Sequence, residues 1–158
     1  MLAGHVARYD GGGAMSIIWA TFAALGFSVF FNLRGKKLWP AAMGGGIGWL
    51  FFMLAANQGD LAQYIIASSA ITLYAETMAR IQRAPVTIYL APALIPLVPG
   101  GLIYKAMLHA LNGENELFLS VGLHSLTITG ALALGIVAVS SLIRLLYNKK
   151  LRLHRPMP

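Results

Sequence analysis

The chain has 158 residues, of which 58% are hydrophobic and 11% charged, with a mean hydropathy of +0.69 and a formal net charge of +7. So few charged side chains cannot cover the surface of a soluble domain of this size, which excludes that class and leaves an integral membrane protein. The lack of cysteine excludes disulfides and thiolate metal sites, and the basic excess falls in short loops and a tail, where topology and anionic lipid explain it better than nucleic acid does.

Residues 1–13, MLAGHVARYDGGG, read as an N-terminal extramembrane segment. Five apolar segments follow, at roughly 14–33, 38–57, 62–82, 85–108 and 117–146, each reaching the ~20 residues that a helix needs to cross ~30 Å of hydrocarbon. The first is too long for a signal-peptide core and lacks a small-residue cleavage pattern, so it reads as a retained span. The expected fold is an all-α integral membrane protein with five transmembrane helices over 14–147 and a basic cytoplasmic tail over 148–158.

The loops between these segments alternate in charge. Arg34, Lys36 and Lys37 follow the first, NQGD (57–60) follows the second, Arg80 and Arg83 end the third, and the acidic NGENE (112–116) follows the fourth. The tail carries Lys149, Lys150, Arg152 and Arg155. Basic residues mark cytoplasmic loops, so this alternation predicts the N-terminus outside and the C-terminus inside. An odd number of spans also permits an inverted pair with a similar five-span partner.

Small residues mark expected contact faces. Gly44 and Gly48 of GGGIG lie one helical turn apart, and Ala131 and Gly135 repeat the spacing in the last segment. Packing within this chain is the simpler use of both faces, and packing against a partner is the other. Asn32 reads as a helix-end residue.

The fourth segment is the unusual one. Pro92, Pro96 and Pro99 fall within eight residues and are followed by Gly100 and Gly101. Proline removes a backbone donor and clashes with the carbonyl one turn earlier, while glycine allows conformations that other residues avoid. Counting helical rise from Pro85, residues 96–101 lie ~16–24 Å along, near the membrane midplane. Freed polar backbone at that depth is tolerated only inside protein or beside a wet cavity, and several transporter folds bind substrate or ions at such breaks. A kink that only shapes the bundle is the plainer alternative.

Few polar side chains accompany it. Glu76 and Arg80 stand one turn apart, either as an internal ion pair or with Glu76 as a proton-coupling group and Arg80 drawing in an anionic substrate. Tyr104 and Lys105 follow the break; Lys105 either snorkels to the headgroups or meets a substrate carboxylate, to which Tyr104 can offer a hydroxyl. His124, near Ser125, Thr127 and Thr129, is either an interhelical hydrogen-bonding residue or a proton relay. The chain shows no phosphate-binding loop, no zinc-protease motif and no nucleophile elbow. His5, His109, His124 and His154 lack metal-ligand spacing. No metal, cofactor or enzymatic activity is expected, and transport energy has to come from a gradient or another subunit. An intramembrane enzyme using His124 and Glu76 is disfavoured because the two lie at different depths on different spans.

The stretch ETMARIQRAPVTIYLAPALIPLVPGGLIYKAM (76–107) resembles the threonine/serine exporter family, and in particular the short second-half component of its split, two-gene members. In that family an acidic-x3-Arg segment precedes a proline and a PLVPG-G-x-x-Y core follows. Here those positions are Glu76, Arg80, Pro85, Pro96 to Gly101, and Tyr104. GFSVFFN (26–32) and GGGIGWL (44–50) extend the likeness across most of the spans, while residues 1–13 have no counterpart. The resemblance implies proton-coupled secondary export of threonine, serine or small carboxylates, dicarboxylates such as succinate included, across the inner (cytoplasmic) cell membrane. It also implies a larger five-span partner subunit, since full-length members carry ten spans behind a soluble domain. The expectation is therefore one subunit of a heteromeric exporter, with a higher oligomer open; the alternative is a non-transporting membrane scaffold that stabilises its partner.

Overall fold

A computed structural model describes residues 13–153, with side chains as far as Leu146. Residues 1–12 and the end of the tail, including Arg155, lie outside the described part. Six α-helices follow one another: α1 (Gly13–Phe30), α2 (Leu38–Leu54), α3 (Asp60–Ile81), α4 (Thr87–Leu94), α5 (Gly100–Leu111) and α6 (Asn115–Leu153). Short 3-10 turns occupy Gly35–Lys37, Ala56–Gln58 and Ile95–Leu97, and no strand occurs among the described residues.

Each apolar segment of the sequence holds one helix except the fourth, which holds both α4 and α5. α1 and the Asn115–Leu146 part of α6 are long and apolar enough to cross a membrane; Thr87–Leu97 and Gly100–Leu111 make a third crossing if the bent pair counts as one span. α2, with 17 residues, is about 25 Å long. α3 has length enough at 22 residues, but Asp60, Gln63, Ser68, Ser69, Thr72, Thr77, Glu76 and Arg80 dilute its hydropathy.

Three helices end in the same way. Asn32, Arg83 and Gly113 take left-handed backbone angles, with φ of 59°, 48° and 75°. In each case the next residue bonds back across the turn: Leu33 N–H to Ser28 O, Ala84 N–H to Ala79 O, and Glu114 N–H to His109 O. This is the pattern that satisfies the last carbonyls of a helix. Asn32 does close a helix, and its side chain also accepts a bond from Arg34 Nε at 3.1 Å.

Most fully buried side chains are small, Tyr89 and Ile71 being the large exceptions, and many large ones point outward. Ala24, Ala41, Ala42, Ala67, Ala75 and Ala93 are fully buried, whereas Trp19, Phe22, Phe30, Trp39, Leu54, Leu73, Leu111 and Leu126 are exposed. A soluble protein would reverse this distribution; helices associating in lipid gain by close backbone approach at small residues.

α2 is the centre of this packing and touches α1, α3 and α4. Its glycines serve all three neighbours. A Cβ on Gly45 would lie 2.5 Å from Ala24 Cβ and 2.9 Å from Ala20 O in α1, and one on Gly44 would lie 2.8 Å from Ala93 Cβ in α4. On Gly48 it would collide with Ile71 Cδ1 in α3. Across the same interfaces Tyr74 OH donates to Pro40 O at 2.8 Å, and Gln63 Nε2 donates to Phe52 O at 2.8 Å. Gln63 is buried, so Gln63→Ala leaves a carbonyl at the end of α2 unsatisfied. It should lower stability by about 1–3 kcal/mol, read as an earlier unfolding transition in detergent.

α3 and α6 run side by side in the same direction. Asp60 at the start of α3 meets His124 near the start of α6, Ser68 faces Gly135, and Glu76 and Arg80 share a cavity with Ile143 and Leu146. α4 and α5 make the return. α4 packs on α1, α2 and α3, while α5 packs on α6.

Candidate functional site

The break between α4 and α5 begins with local chemistry. Pro99 disfavours helical angles at the residue before it, and Val98 is extended, with φ −62° and ψ 131°. Pro99 itself, at φ −76° and ψ 51°, starts α5, and the axes on the two sides meet at a bend of 54°. Upstream, Pro92 sits inside α4 and Pro96 opens the 3-10 turn.

The glycine pair contributes differently from its sequence expectation. Neither Gly100 nor Gly101 has a positive φ, and a Cβ on either would meet nothing within 4 Å. Both occupy the first turn of an ordinary helix, so proline and not glycine makes the break. What the glycines leave is bare backbone. Gly100 N–H reaches Val98 O at 2.7 Å, and the amides of Leu102 and Ile103 share Pro99 O at 3.1 Å. Gly101 N–H has no acceptor among the described residues.

Burial divides the stretch into two sides. Leu97 and Pro99 are buried and Pro96 is half-buried, whereas Val98, Gly100, Gly101, Tyr104 and Lys105 are exposed. The 3-10 turn rests on α1 and α2, while the start of α5 faces away from the bundle.

Glu76 and Arg80 form a second polar place. Arg80 Nη2 stands 3.5 Å from Glu76 Oε2, with the carboxylate side chain 12% exposed and the guanidinium side chain 49% exposed. Leu73, Thr77, Ile81, Ile143 and Leu146 complete a cavity of about 470 Å³ between α3 and α6. The carboxylate is thus the more enclosed partner and the guanidinium the more exposed one, and both line the same open cavity.

His124 is remote from both places. Its Nε2 lies 3.6 Å from Asp60 Oδ2, across the far end of the α3–α6 seam, and sixteen residues of α3 separate Asp60 from Glu76, or ~24 Å. Ser125 is buried, and the hydroxyls of Thr127 and Thr129 donate to Leu123 O and Ser125 O of their own helix. The structure thus brings Glu76 to Arg80, leaves Pro96 to Lys105 outside the cavity that those two line, and gives His124 a carboxylate of its own. Among the described residues no cluster of three or more His, Asp or Glu side chains is placed to hold a metal ion.

Gly135, with Ala131 buried one turn before it, lies against α3. A Cβ there would overlap Ser68 Oγ and come within 2.7 Å of Ile65 O. The same interface continues through Ser68 and Thr72, each donating to a carbonyl of its own helix.

A family described as Threonine/Serine exporter, ThrE, matches residues 16–142, which takes in most of α1, all of α2 to α5 and most of α6. The chain belongs to the threonine/serine exporter family. Its members are transporters, so the apolar helices, outward-facing large side chains and broken fourth segment are features of a membrane transport protein. The match includes both polar places and the break. No curated protein and no solved structure matches the chain.

Asp60 is hidden in the sequence, because NQGD reads there only as a loop without basic residues. Its place at the first turn of α3, one turn before the buried Gln63, is the available signal. Gln82 carries no clear sequence signal either. It accepts from Tyr89 OH at 2.9 Å and donates to Lys36 O at 3.3 Å, joining the two basic loops.

Proposed function

We propose that the chain is the shorter subunit of a heteromeric secondary exporter that moves threonine, serine or small carboxylates outward, driven by protons and paired with a larger five-span subunit. The observation that carries this reading is the family match over 16–142. The chain would be a multi-pass protein of the inner membrane with five helical spans, the fourth broken near the midplane, the N-terminus outside and the C-terminus inside. Two placements support that arrangement. Gln82 joins the loops that hold Arg34, Lys36, Lys37 and Arg83, while Asp60 and Glu116 stand in the first turns of α3 and α6, which run in the same direction. α3 needs no strong hydropathy signal of its own, because it packs against α2, α4 and α6.

In this reading Arg80 draws the substrate in from the cytoplasm, the path runs past Pro96, Pro99, Gly100 and Gly101, and Tyr104 and Lys105 line its exit. Glu76 carries the coupling proton, with His124 as a second titratable group on the outer side. Proteoliposomes holding both subunits should export labelled threonine, serine or a dicarboxylate, and neither subunit alone should. Full transport by this chain alone refutes the heteromer. Glu76→Gln should abolish export driven by a proton gradient while preserving exchange of substrate for substrate; loss of both would make Glu76 structural. Normal transport after neutralising Glu76, Arg80 and Lys105 together would leave the chain a scaffold for its partner.

A further inference from the structure

The break has a physical requirement that this chain does not meet by itself. Among the described residues Gly101 N–H lacks an acceptor, and the carbonyls of Pro96 and Leu97 receive no backbone donor. α5 buries Ala106 against α6, so Gly101, Tyr104, Leu108 and Leu111 form the opposite, open face. Lys105 stands exposed beside that face, and none of the ion pairs among the described residues includes it.

Hydrocarbon does not accept unpaired backbone; such groups occur at membrane depth only under protein cover or beside water. Snorkelling would account for Lys105, whose long stem can reach toward the headgroups. It does nothing for Gly101, which has no side chain to extend. The start of α5 therefore needs protein or water beside it, and a polar cavity closed by protein supplies both.

We propose that the open face of α5, from Gly101 to Leu111, is the docking surface for a second, different membrane subunit, which closes a polar cavity around the break and presents a carboxylate to Lys105. The existence of that subunit rests on the exporter reading above; its place and its charge rest on the break. A second copy of this chain fits poorly. A two-fold interface centred on this face sets one Lys105 against the other, and like charges repel strongly where water is scarce. Opposite charge needs a different chain.

The natural absence of cysteine makes the test direct. A photo-crosslinking amino acid is placed at Tyr104 or, as a control, at Trp19 on the exposed side of α1, in membranes that also contain the larger five-span subunit. Co-purification of the two subunits is measured in parallel. Adducts to that subunit from position 104 and none from position 19 are expected. Gly101→Cys, whose side chain has open space around it, should react with a water-soluble maleimide. Lys105→Glu should reduce the co-purified subunit by roughly tenfold or more, with Lys105→Gln intermediate.

Co-purification with adducts from position 19 but none from 104 overturns the docking surface and leaves the pairing intact. Adducts between two copies of this chain from position 104 overturn it in favour of a homodimer. Undiminished co-purification of Lys105→Glu overturns the carboxylate, and labelling of Gly101→Cys only by lipid-soluble reagents overturns the polar cavity. Absence of both adducts and co-purification overturns the pairing and the docking surface together.

Discussion

Replacing Gly135 by alanine should push α3 and α6 apart and lower stability by roughly 1–3 kcal/mol, the usual cost of overfilling a packed interface. The added carbon would overlap Ser68 Oγ, which can rotate, but it would also stand 2.7 Å from Ile65 O, which is helix backbone and can move only with the helix. Thermal unfolding in detergent is the measurement, with Gly130→Ala as its control, since a Cβ at Gly130 meets nothing within 4 Å. Equal unfolding temperatures for the two variants would mean that α3 and α6 are not held this closely. Because the same seam carries the Glu76–Arg80 cavity and the Asp60–His124 pair, transport by Gly135→Ala should fall along with stability.

Pro99→Ala should have the opposite profile, with transport lost and insertion retained. The substitution restores an amide and frees Val98 to become helical, so α4 and α5 can continue as one rod. The local preference for the straight form changes by roughly 3 kcal/mol, more than about a hundredfold in the equilibrium between bent and straight. Transport in proteoliposomes should drop by at least about tenfold while the amount of protein in the membrane stays constant. Gly100→Ala makes a discriminating companion. Its Cβ has open space and its backbone is already helical, so it should insert normally, and any loss of transport then reports crowding of the path rather than a change of bend.

The helices were legible because apolar runs of about twenty residues, punctuated by charges, leave little choice of structure in a lipid solvent. The bend was legible too, since Pro92, Pro96 and Pro99 are local breakers whose effect needs no tertiary context. The direction in which the broken helix faces was not legible. Whether Tyr104 and Lys105 look into the bundle or away from it depends on α5 leaving α4 at 54° and settling on α6, which no spacing encodes. The role of the glycine pair is not legible for a related reason. Glycine advertises freedom, but at positions 100 and 101 that freedom is unused, and the residues that exploit the left-handed region are Gly35, Gly59 and Gly113 in the loops, with Asn32 and Arg83. Asp60 and His124, 64 positions apart by number, could not be paired before the parallel course of α3 and α6 was known.

That parallel course has a consequence for how the protein is made. α2 and α3 each find a neighbour as soon as they emerge, because each packs on the helix before it. α3 has to wait for α6, which arrives only after the intervening return through α4 and α5 has been synthesised. Until then Ser69, Glu76 and the flank of α3 that Gly135 will cover stand open to the surrounding membrane. α6 covers that side of α3, so a ribosome that stops short of residue 115 leaves a nascent product with an unsealed polar side, of the kind that membrane proteases and chaperones are equipped to detect.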